Sequence, residues 1–397
     1  MTGSAPYDHL VIDALPPVRW FREFGRPPRI LGLDVARALA ILGMVGAHIG
    51  ETESFDWVEP STWTSLVNGR SSILFAVLAG VSIALMTGRS TLPERERIPS
   101  IRLNLIGRGA VIFVIGLALE MLNTPIAIIL TLYGLLYVAV IPFLRWRPWQ
   151  LLSGAAVLAL LGPALLAFLN AVMLHPFGSG IGFVLYGTYP ITVWMALVLG
   201  GMALGRLRVE LVRTAVIALG VGVGLAVVGD GLGAIGQGAG IVGFGGGSFV
   251  GSGSLLGSPT GWGDYPQALA ETDPLGAVLT AVFAAGPHSG GTAEILGSGG
   301  FALAVIALCL LLSRPLRWPM LPFGALGSMP LTAYSAHVVS IVAVGGPGAF
   351  LSSNPFWAAT AVGLLLVTTA WSMFFGRGPL ERLVGRGAAA MAAVPRR

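Results

Sequence analysis

An arginine and a histidine interrupt the first long apolar stretch of the chain, LDVARALAILGMVGAH at residues 33–48. Arg37 and His48 are eleven residues apart, which on an α-helix places them within about 20° of the same face and about 16 Å apart along the axis. Asp34 lies three residues before Arg37, so the two can form an ion pair. Ionisable side chains within a membrane span normally face the bundle interior or a wet cavity. The spacing predicts a helix that lines an internal path.

These residue types suit anion binding at one level of the helix and proton transfer at the other. A guanidinium is charged at any pH and forms forked hydrogen bonds, whereas a histidine can take a proton from a hydroxyl or an amine. A nearby carboxylate should fix the histidine tautomer. The local candidates are Glu51, Glu53 and Asp56. Glu51 follows His48 by three residues and is within reach if the helix continues. The alternative is that Asp34, Arg37 and His48 only mark the two ends of a span.

The composition is that of a membrane protein. The 397 residues are 55% hydrophobic and 10% charged, with a mean hydropathy of +0.82, whereas about a quarter of a soluble domain is charged. Long apolar runs recur, which predicts an all-α polytopic membrane bundle rather than a transmembrane barrel. The single cysteine, Cys309, excludes a disulfide framework. About ten spans are expected, near 31–49, 70–87, 105–122, 126–144, 150–172, 186–205, 212–232, 294–313, 324–344 and 356–375.

Arginine clusters predict the orientation of these spans. They precede the first span, follow the last and fall between spans two and three, four and five, six and seven, and eight and nine. With both termini inside, every cluster is cytoplasmic, as positively charged loops prefer. The net charge of +5 therefore indicates topology and contact with acidic lipid, and no nucleic-acid binding.

The chain is expected to form one membrane domain over residues 30–386, with a cytoplasmic leader at 1–29, which is not a removable signal, and a cytoplasmic tail at 387–397. Residues 274–287, PLGAVLTAVFAAGP, are apolar but shorter than the roughly 20 residues that a crossing needs. This segment is expected to be re-entrant or interfacial, within a glycine-rich outer region at 233–290. The glycine-rich loop is either an unstructured outer loop or a lid over an outer cavity.

Further polar residues fall at the outer level of His48. His337 lies in the outer half of the ninth span, in LTAYSAHVV, with Tyr334 three residues earlier on the same face. Other candidates at this level are Arg70, Glu120, Asp230 and His288. No two of the outer histidines have metal-ligand spacing, so no metal is expected. At the cytoplasmic side, several arginines could hold phosphates or simply fix topology: Arg89, Arg95, Arg97, Arg102 and Arg108.

The first span, with LD, an Arg, ten residues and a His, resembles the motif of the membrane acyltransferase superfamily, which includes acyltransferase-3 and heparan-alpha-glucosaminide N-acetyltransferase-like proteins. Three stretches are similar to its bacterial YeiB-like branch: GRSSILFAVLAGVSIAL, LGSMPLTAYSAHVV and FGRGPLERLVGR. The resemblance extends from about residue 29 to 386. Ala38 replaces the usual glycine of the motif. The loop after the first span lacks the histidine of the glucosaminide-type enzymes, and His48 matches the acyltransferase-3 position instead.

The resemblance implies transfer of an acyl group, expected to be acetyl, from cytoplasmic acyl-CoA to a hydroxyl or amine of an envelope glycan or glycolipid at the outer face of the bacterial cytoplasmic membrane. The pantetheine arm would reach through the bundle. Expected catalytic residues are His48, Glu51 and His337; expected donor-binding residues are Asp34, Arg37 and Arg70.

Membrane lipids and the envelope acceptor are the expected partners, and a homodimer is left open. The competing hypothesis is a transporter or channel that uses the same polar path. Transporters often contain inverted repeats and paired broken helices. No convincing internal repeat is found here, which favours the enzyme. A structural or sensory protein explains Arg37 and His48 least well.

Overall fold

A computed structural model describes residues 16–53, 58–173, 178–187, 190–243 and 263–393. This part of the chain is helical throughout and contains no strand. The first eight α-helices are α1 (Pro16–Glu23), α2 (Leu31–Ile49), α3 (Arg70–Met86), α4 (Ile98–Glu120), α5 (Leu130–Ala139), α6 (Pro148–Val172), α7 (Ser179–Leu185) and α8 (Ile191–Arg206). The next eight are α9 (Val212–Gly238), α10 (Tyr265–Ala270), α11 (Pro274–Phe283), α12 (Thr292–Leu312), α13 (Arg317–Gly327), α14 (Pro330–Gly345), α15 (Asn354–Phe375) and α16 (Pro379–Ala392).

The predicted all-α membrane bundle is confirmed, but the count of ten spans is not. Among the described residues six helices are long and apolar enough to cross a membrane, namely α2, α4, α6, α9, α12 and α15. Two bent pairs raise the count to eight: the 3-10 helix Pro60–Val67 with α3, bent by 42°, and α13 with α14, bent by 72°. The predicted spans at α5 and α8 are apolar helices of 10 and 16 residues, shorter than a full crossing.

Helix α2 lies at the centre of the bundle. Within its apolar window 72% of the residues are buried, against 11% for α15, and it packs on α3, α12, α13, α14 and α15. Glycines allow the closest approaches: a Cβ on Gly327 would lie 1.7 Å from the carbonyl oxygen of Asp34, and one on Gly32 would lie 2.6 Å from that of Cys309. Small residues at such contacts let membrane helices pack closely. The polar side chains of α2 are therefore directed at protein rather than at lipid.

The arginine-bearing loops meet at one end of the bundle, called here the arginine-rich end. Arg206 is buried and donates to the carbonyls of Arg89 and Leu144, at 3.2 and 2.8 Å. Arg89 forms an ion pair with Glu210 at 3.4 Å, and Arg314 donates to the Glu210 carbonyl. These contacts place the loops after α3, α5, α8 and α12 side by side. The orientation of this end towards the cytoplasm stays a prediction.

The region predicted to lie outside the membrane, residues 233–290, differs from its expected boundaries. Helix α9 continues to Gly238, so the first residues of the predicted region at 233–290 are helical. Helix α11 has 10 residues, and the side chain of Asp273 caps it by accepting from the N–H of Gly276 at 2.8 Å. It packs against α6 and is too short to cross a bilayer. Residues 244–262, where a loop or lid is predicted, lie outside the described residues.

Candidate active site

Two histidines that are 289 residues apart in sequence meet at the end of the bundle opposite the arginines. His48 Nδ1 lies 3.0 Å from His337 Nε2, and the two rings are nearly parallel, with an interplanar angle of 19°. Tyr334 packs edge-on against His337, with ring centroids 5.0 Å apart. His337 and Tyr334 are fully buried, whereas His48 is partly exposed. The structure therefore joins two of the three predicted catalytic residues, and we call this the histidine end.

The surroundings of His337 favour one arrangement of protons in the pair. Its Nδ1 makes no hydrogen bond of ordinary geometry within the described residues and faces the carbonyl oxygens of Ala333 and Tyr334 on the preceding turn. Carbonyl oxygens attract a proton to that nitrogen, which leaves Nε2 of His337 as the acceptor. His48 then donates through Nδ1, and its own Nε2 carries a free lone pair. A neutral imidazole in this state is a suitable general base.

The histidine pair borders a cavity of about 330 Å³. His48 and Tyr334 line it together with Asn68, and the side-chain amide of Asn68 donates to Thr52 Oγ1 at 2.9 Å. A second, more polar cavity of about 720 Å³ shares Thr52, Asn68 and Pro287 with the first. Together they form a polar cleft, called the outer cleft because this end is predicted to face outward, and it is large enough for a sugar-sized molecule.

Arg70 lies in this outer cleft and not beside Arg37. Its guanidinium is 3.2 and 3.3 Å from the two carboxylate oxygens of Asp230 and 5.1 Å from the ring centroid of Phe301. The pair joins α3 to α9 across the larger cavity. The assignment of Arg70 to the donor site therefore has no geometric support, since the residues predicted with it lie at the other end of α2.

Glu51 does not contact His48 in this structure. Helix α2 ends at Ile49, and Gly50 is extended, so the helical turn that would bring Glu51 back to His48 is absent. The Glu51 carboxylate accepts from Asn354 Nδ2 at 3.4 Å. His337 occupies the place beside His48 that was predicted for a carboxylate. Glu53 lines the larger cavity, and Asp56 lies outside the described residues.

The predicted Asp34–Arg37 pair is present at the other end of α2. Arg37 Nη1 lies 2.5 Å from Asp34 Oδ1, and Arg37 Nη2 donates to Ser82 Oγ at 2.9 Å. The second Asp34 oxygen is 3.0 Å from Arg29. Arg37 opens onto a cavity of about 170 Å³, called the inner cavity because the arginine-rich end is predicted to face the cytoplasm. The other polar residues that line it are Ser82, Arg108, Tyr133, Tyr137 and Glu381.

Arg37 and His48 line two different cavities, so the predicted internal path is divided in this structure. No residue lines both the inner and the outer cavity. The start of α5 separates them: Ile129 lines the outer cavity, and its neighbour Leu130 lines the inner one. The backbone N–H of Ile129 donates to the hydroxyl of Tyr334 at 3.4 Å. Because adjacent residues face the two cavities, the barrier between them is thin.

Sequence reasoning missed Glu294, a buried carboxylate in the first turn of α12. It accepts from the backbone N–H of His288 and of Gly290, both at 2.7 Å, and from Ser289 Oγ at 3.1 Å. These bonds hold the loop that brings His288, with a positive φ of 58°, to the outer cavity. The available signal was an acid at the start of an apolar span, which is costly unless it has a role.

The described residues contain no group of three or more His, Cys, Asp or Glu side chains placed to hold a metal ion. Residues 29–228 match the protein family described as "Heparan-alpha-glucosaminide N-acetyltransferase, catalytic". No individual curated protein matches the chain. The matched region includes Asp34, Arg37 and His48 and ends before His337.

Proposed function

The chain belongs to the heparan-alpha-glucosaminide N-acetyltransferase catalytic family, a family of membrane acetyltransferases, and we propose that it transfers an acetyl group from acetyl-CoA to an envelope glycan or glycolipid. The observation that carries the proposal is the pairing of His48 with His337 beside a polar cleft. The YeiB-like branch and the bacterial cytoplasmic membrane remain parts of the proposal.

The proposed chemistry uses His48 Nε2 as the general base. It takes the proton from an acceptor hydroxyl or amine as the acceptor oxygen or nitrogen attacks the thioester carbonyl carbon. The new C–O or C–N bond forms, the C–S bond breaks, and the thiolate of CoA leaves with a proton returned from His48. His337 accepts the Nδ1–H of His48 and stabilises the imidazolium form, the role that a carboxylate has in a serine protease triad.

The donor would enter from the arginine-rich end. The inner cavity presents Arg37 and Arg108, which can bind phosphate or the thioester oxygen through charge-assisted hydrogen bonds. The pantetheine arm would then extend past Leu130 and Ile129 to the outer cleft. About 16 Å of helix axis separates the levels of Arg37 and His48. Opening of the thin barrier at Tyr334 is therefore a required step.

The acceptor would bind in the outer cleft. Its lining carries neutral hydrogen-bonding groups at Asn68 and Gln237 and the Arg70–Asp230 pair. Such groups are typical of sites that recognise hydroxyl- or amine-bearing molecules.

The test is a transfer assay with purified protein in lipid nanodiscs. Acetyl-CoA is added with glucosamine and with N-acetylglucosamine, and release of free CoA is followed with a thiol reagent. The background is low because the only cysteine, Cys309, is buried. Acceptor-dependent release supports the proposal. If acetyl-CoA does not bind, and His48→Ala instead changes the uptake of a solute into vesicles, the transporter hypothesis replaces it.

A further inference from the structure

A second inner cavity, of about 360 Å³, lies at the arginine-rich end. Two of its arginines, Arg26 and Arg29, belong to the turn between α1 and α2. Arg314 lies in the turn between α12 and α13, and Arg317 is the first residue of α13. It shares no lining residue with the cavity of Arg37. The acetyl-transfer proposal makes no use of this second cavity.

Backbone carbonyls hold two of these arginines in place. Arg317 Nη2 donates to the carbonyls of Phe21 and Phe24, at 2.9 and 2.8 Å. Arg314 donates to the carbonyl of Glu210. A neutral carbonyl orients a guanidinium without cancelling its charge. The cluster is therefore positioned by the fold but is not neutralised by these contacts.

The charges around this cavity do not balance. Glu210 is the only acid among the lining residues, and its carboxylate pairs with Arg89 at 3.4 Å. Arg26 forms no hydrogen bond or ion pair through its side chain within the described part of the chain, and its charge repels that of Arg317. Arg317 Nε is buried without a hydrogen-bond partner among the described residues. Arg26, Arg29 and Arg314 are exposed, so the excess positive charge faces solvent and can attract an anion.

We propose that this cavity binds a phosphate group. Guanidinium forks match phosphate oxygens in geometry and charge. The rim of the site favours a lipid as the source: Leu316 and Trp318 are 44% and 60% exposed, and Arg317 lies over the Trp318 ring at 4.6 Å. Exposed tryptophan beside arginine is typical of the membrane interface, and anionic headgroups concentrate at cytoplasmic surfaces. A soluble phosphate compound has the same binding chemistry.

Binding of a phosphate at this site would affect Arg37 in the inner cavity, because Asp34 contacts arginines of both cavities. That carboxylate pairs with Arg29 on one side and with Arg37 on the other. A phosphate that draws Arg29 towards itself would leave Asp34 to Arg37 alone. The two cavities are thus linked by one shared acid.

The experiment measures binding of dioleoylphosphatidylglycerol and of dioleoylphosphatidylcholine to the purified full chain by native mass spectrometry, with inorganic phosphate as competitor. The phosphatidylglycerol should bind at least about tenfold more tightly, since both lipids carry a phosphodiester but the choline cation of phosphatidylcholine offsets the phosphate charge that the guanidinium groups contact. Arg26→Gln, which removes the guanidinium with fewest internal contacts, should abolish most of that preference. Arg145→Gln, an exposed arginine at the same end and outside the cavity, is the matched control and should keep it.

The outcomes separate the two phosphate sources. Displacement of phosphatidylglycerol by millimolar inorganic phosphate, with thermal stabilisation that Arg26→Gln loses, assigns the site to a soluble phosphate compound. Stabilisation by the lipid alone, with the same dependence on Arg26, assigns it to a headgroup. Arg314→Gln provides a second variant should Arg26→Gln fold poorly. The proposal is overturned if both folded variants bind phosphatidylglycerol and phosphate as wild type does.

Discussion

The two ends of α2 carry polar groups with different kinds of partner. At the arginine-rich end, Arg37 carries a fixed charge that Asp34 neutralises at 2.5 Å and Ser82 orients at 2.9 Å. At the histidine end, His48 faces a second histidine at 3.0 Å, and no acid contacts the pair in the described residues. Arg37 at one end keeps a permanent charge, whereas His48 at the other end can gain and lose a proton.

The difference explains why a single helix can serve two steps of a transfer reaction. A permanent cation partly neutralised by an internal acid can bind an anionic donor without the full cost of a buried charge. A histidine hydrogen-bonded to a neutral acceptor keeps one nitrogen available for proton transfer. Substitutions at the two ends should therefore change different kinetic quantities, and this division can be tested.

The largest effect is expected for His48→Ala. Removal of the general base should lower kcat by about 10²–10⁴ and leave acetyl-CoA affinity close to that of wild type, because the inner cavity is untouched. Transfer rates and calorimetric titration with acetyl-CoA measure the two quantities. Glu51→Gln is the control at the same end, since Glu51 contacts Asn354 rather than His48. Its kcat should stay within a few-fold of the wild-type value. Equal rates for His48→Ala and wild type would exclude His48 as the base.

A smaller loss, about 10–100-fold in kcat, is expected for His337→Leu, because the residue orients His48 but does not touch substrate. His337→Gln should recover much of the rate, since its carbonyl oxygen can accept the Nδ1–H of His48. The pH profile distinguishes positioning from simple destabilisation: the Leu variant should shift the pH at which the rate is half-maximal, and the Gln variant should shift it less. If both variants lose activity equally with unchanged pH profiles, His337 has only a packing role.

Much of this arrangement could be predicted from sequence because it follows helical periodicity. Asp34, Arg37 and His48 lie on one helix, so their spacing fixed their relative levels and predicted the Asp34–Arg37 pair. His337 was identified as a second candidate because a histidine within an apolar span seldom lacks a hydrogen-bond partner. The partnership of His48 with His337 needed the structure, because sequence does not say how α2 and α14 face each other.

The remaining errors also have physical causes. The Glu51 assignment required α2 to continue past Ile49, and helix boundaries are the least reliable part of sequence reasoning. The count of ten spans is not confirmed where short helices and bends occur, as at the break between α13 and α14. The barrier between the cavities depends on the side-chain packing of Tyr334 and Ile129, which no periodicity encodes. Glu294 was missed because its partners are backbone N–H groups of a loop.

Arg37→Lys tests the role of the arginine-rich end of α2 in donor binding. The ammonium keeps the charge, but one nitrogen cannot reproduce contacts that two separate guanidinium nitrogens make to Asp34 and Ser82. We expect acetyl-CoA to bind about tenfold more weakly while kcat at saturating donor stays near wild type. Calorimetry and rates at several donor concentrations separate the two effects. A loss confined to kcat would contradict the assignment of donor binding to Arg37 and proton transfer to His48.

The smallest effect concerns His288, in the loop that Glu294 holds beside the histidine end. Burial lowers the pKa of His288 below its usual value of 6.5. The unfolded chain therefore takes up a proton at this residue at a higher pH than the folded chain does. As a result, the free energy of unfolding should fall as the pH drops below about 6.5. This one group can contribute at most about 1.4 kcal/mol per pH unit to that fall. His288→Gln should make thermal stability in nanodiscs less dependent on pH between about 6.5 and 5, relative to wild type. His48 and His337 are retained in both proteins, so the difference between the two slopes reports His288 together with its charge interaction with His48. Identical slopes would show that His288 is as free to take up a proton in the folded protein as in the unfolded chain.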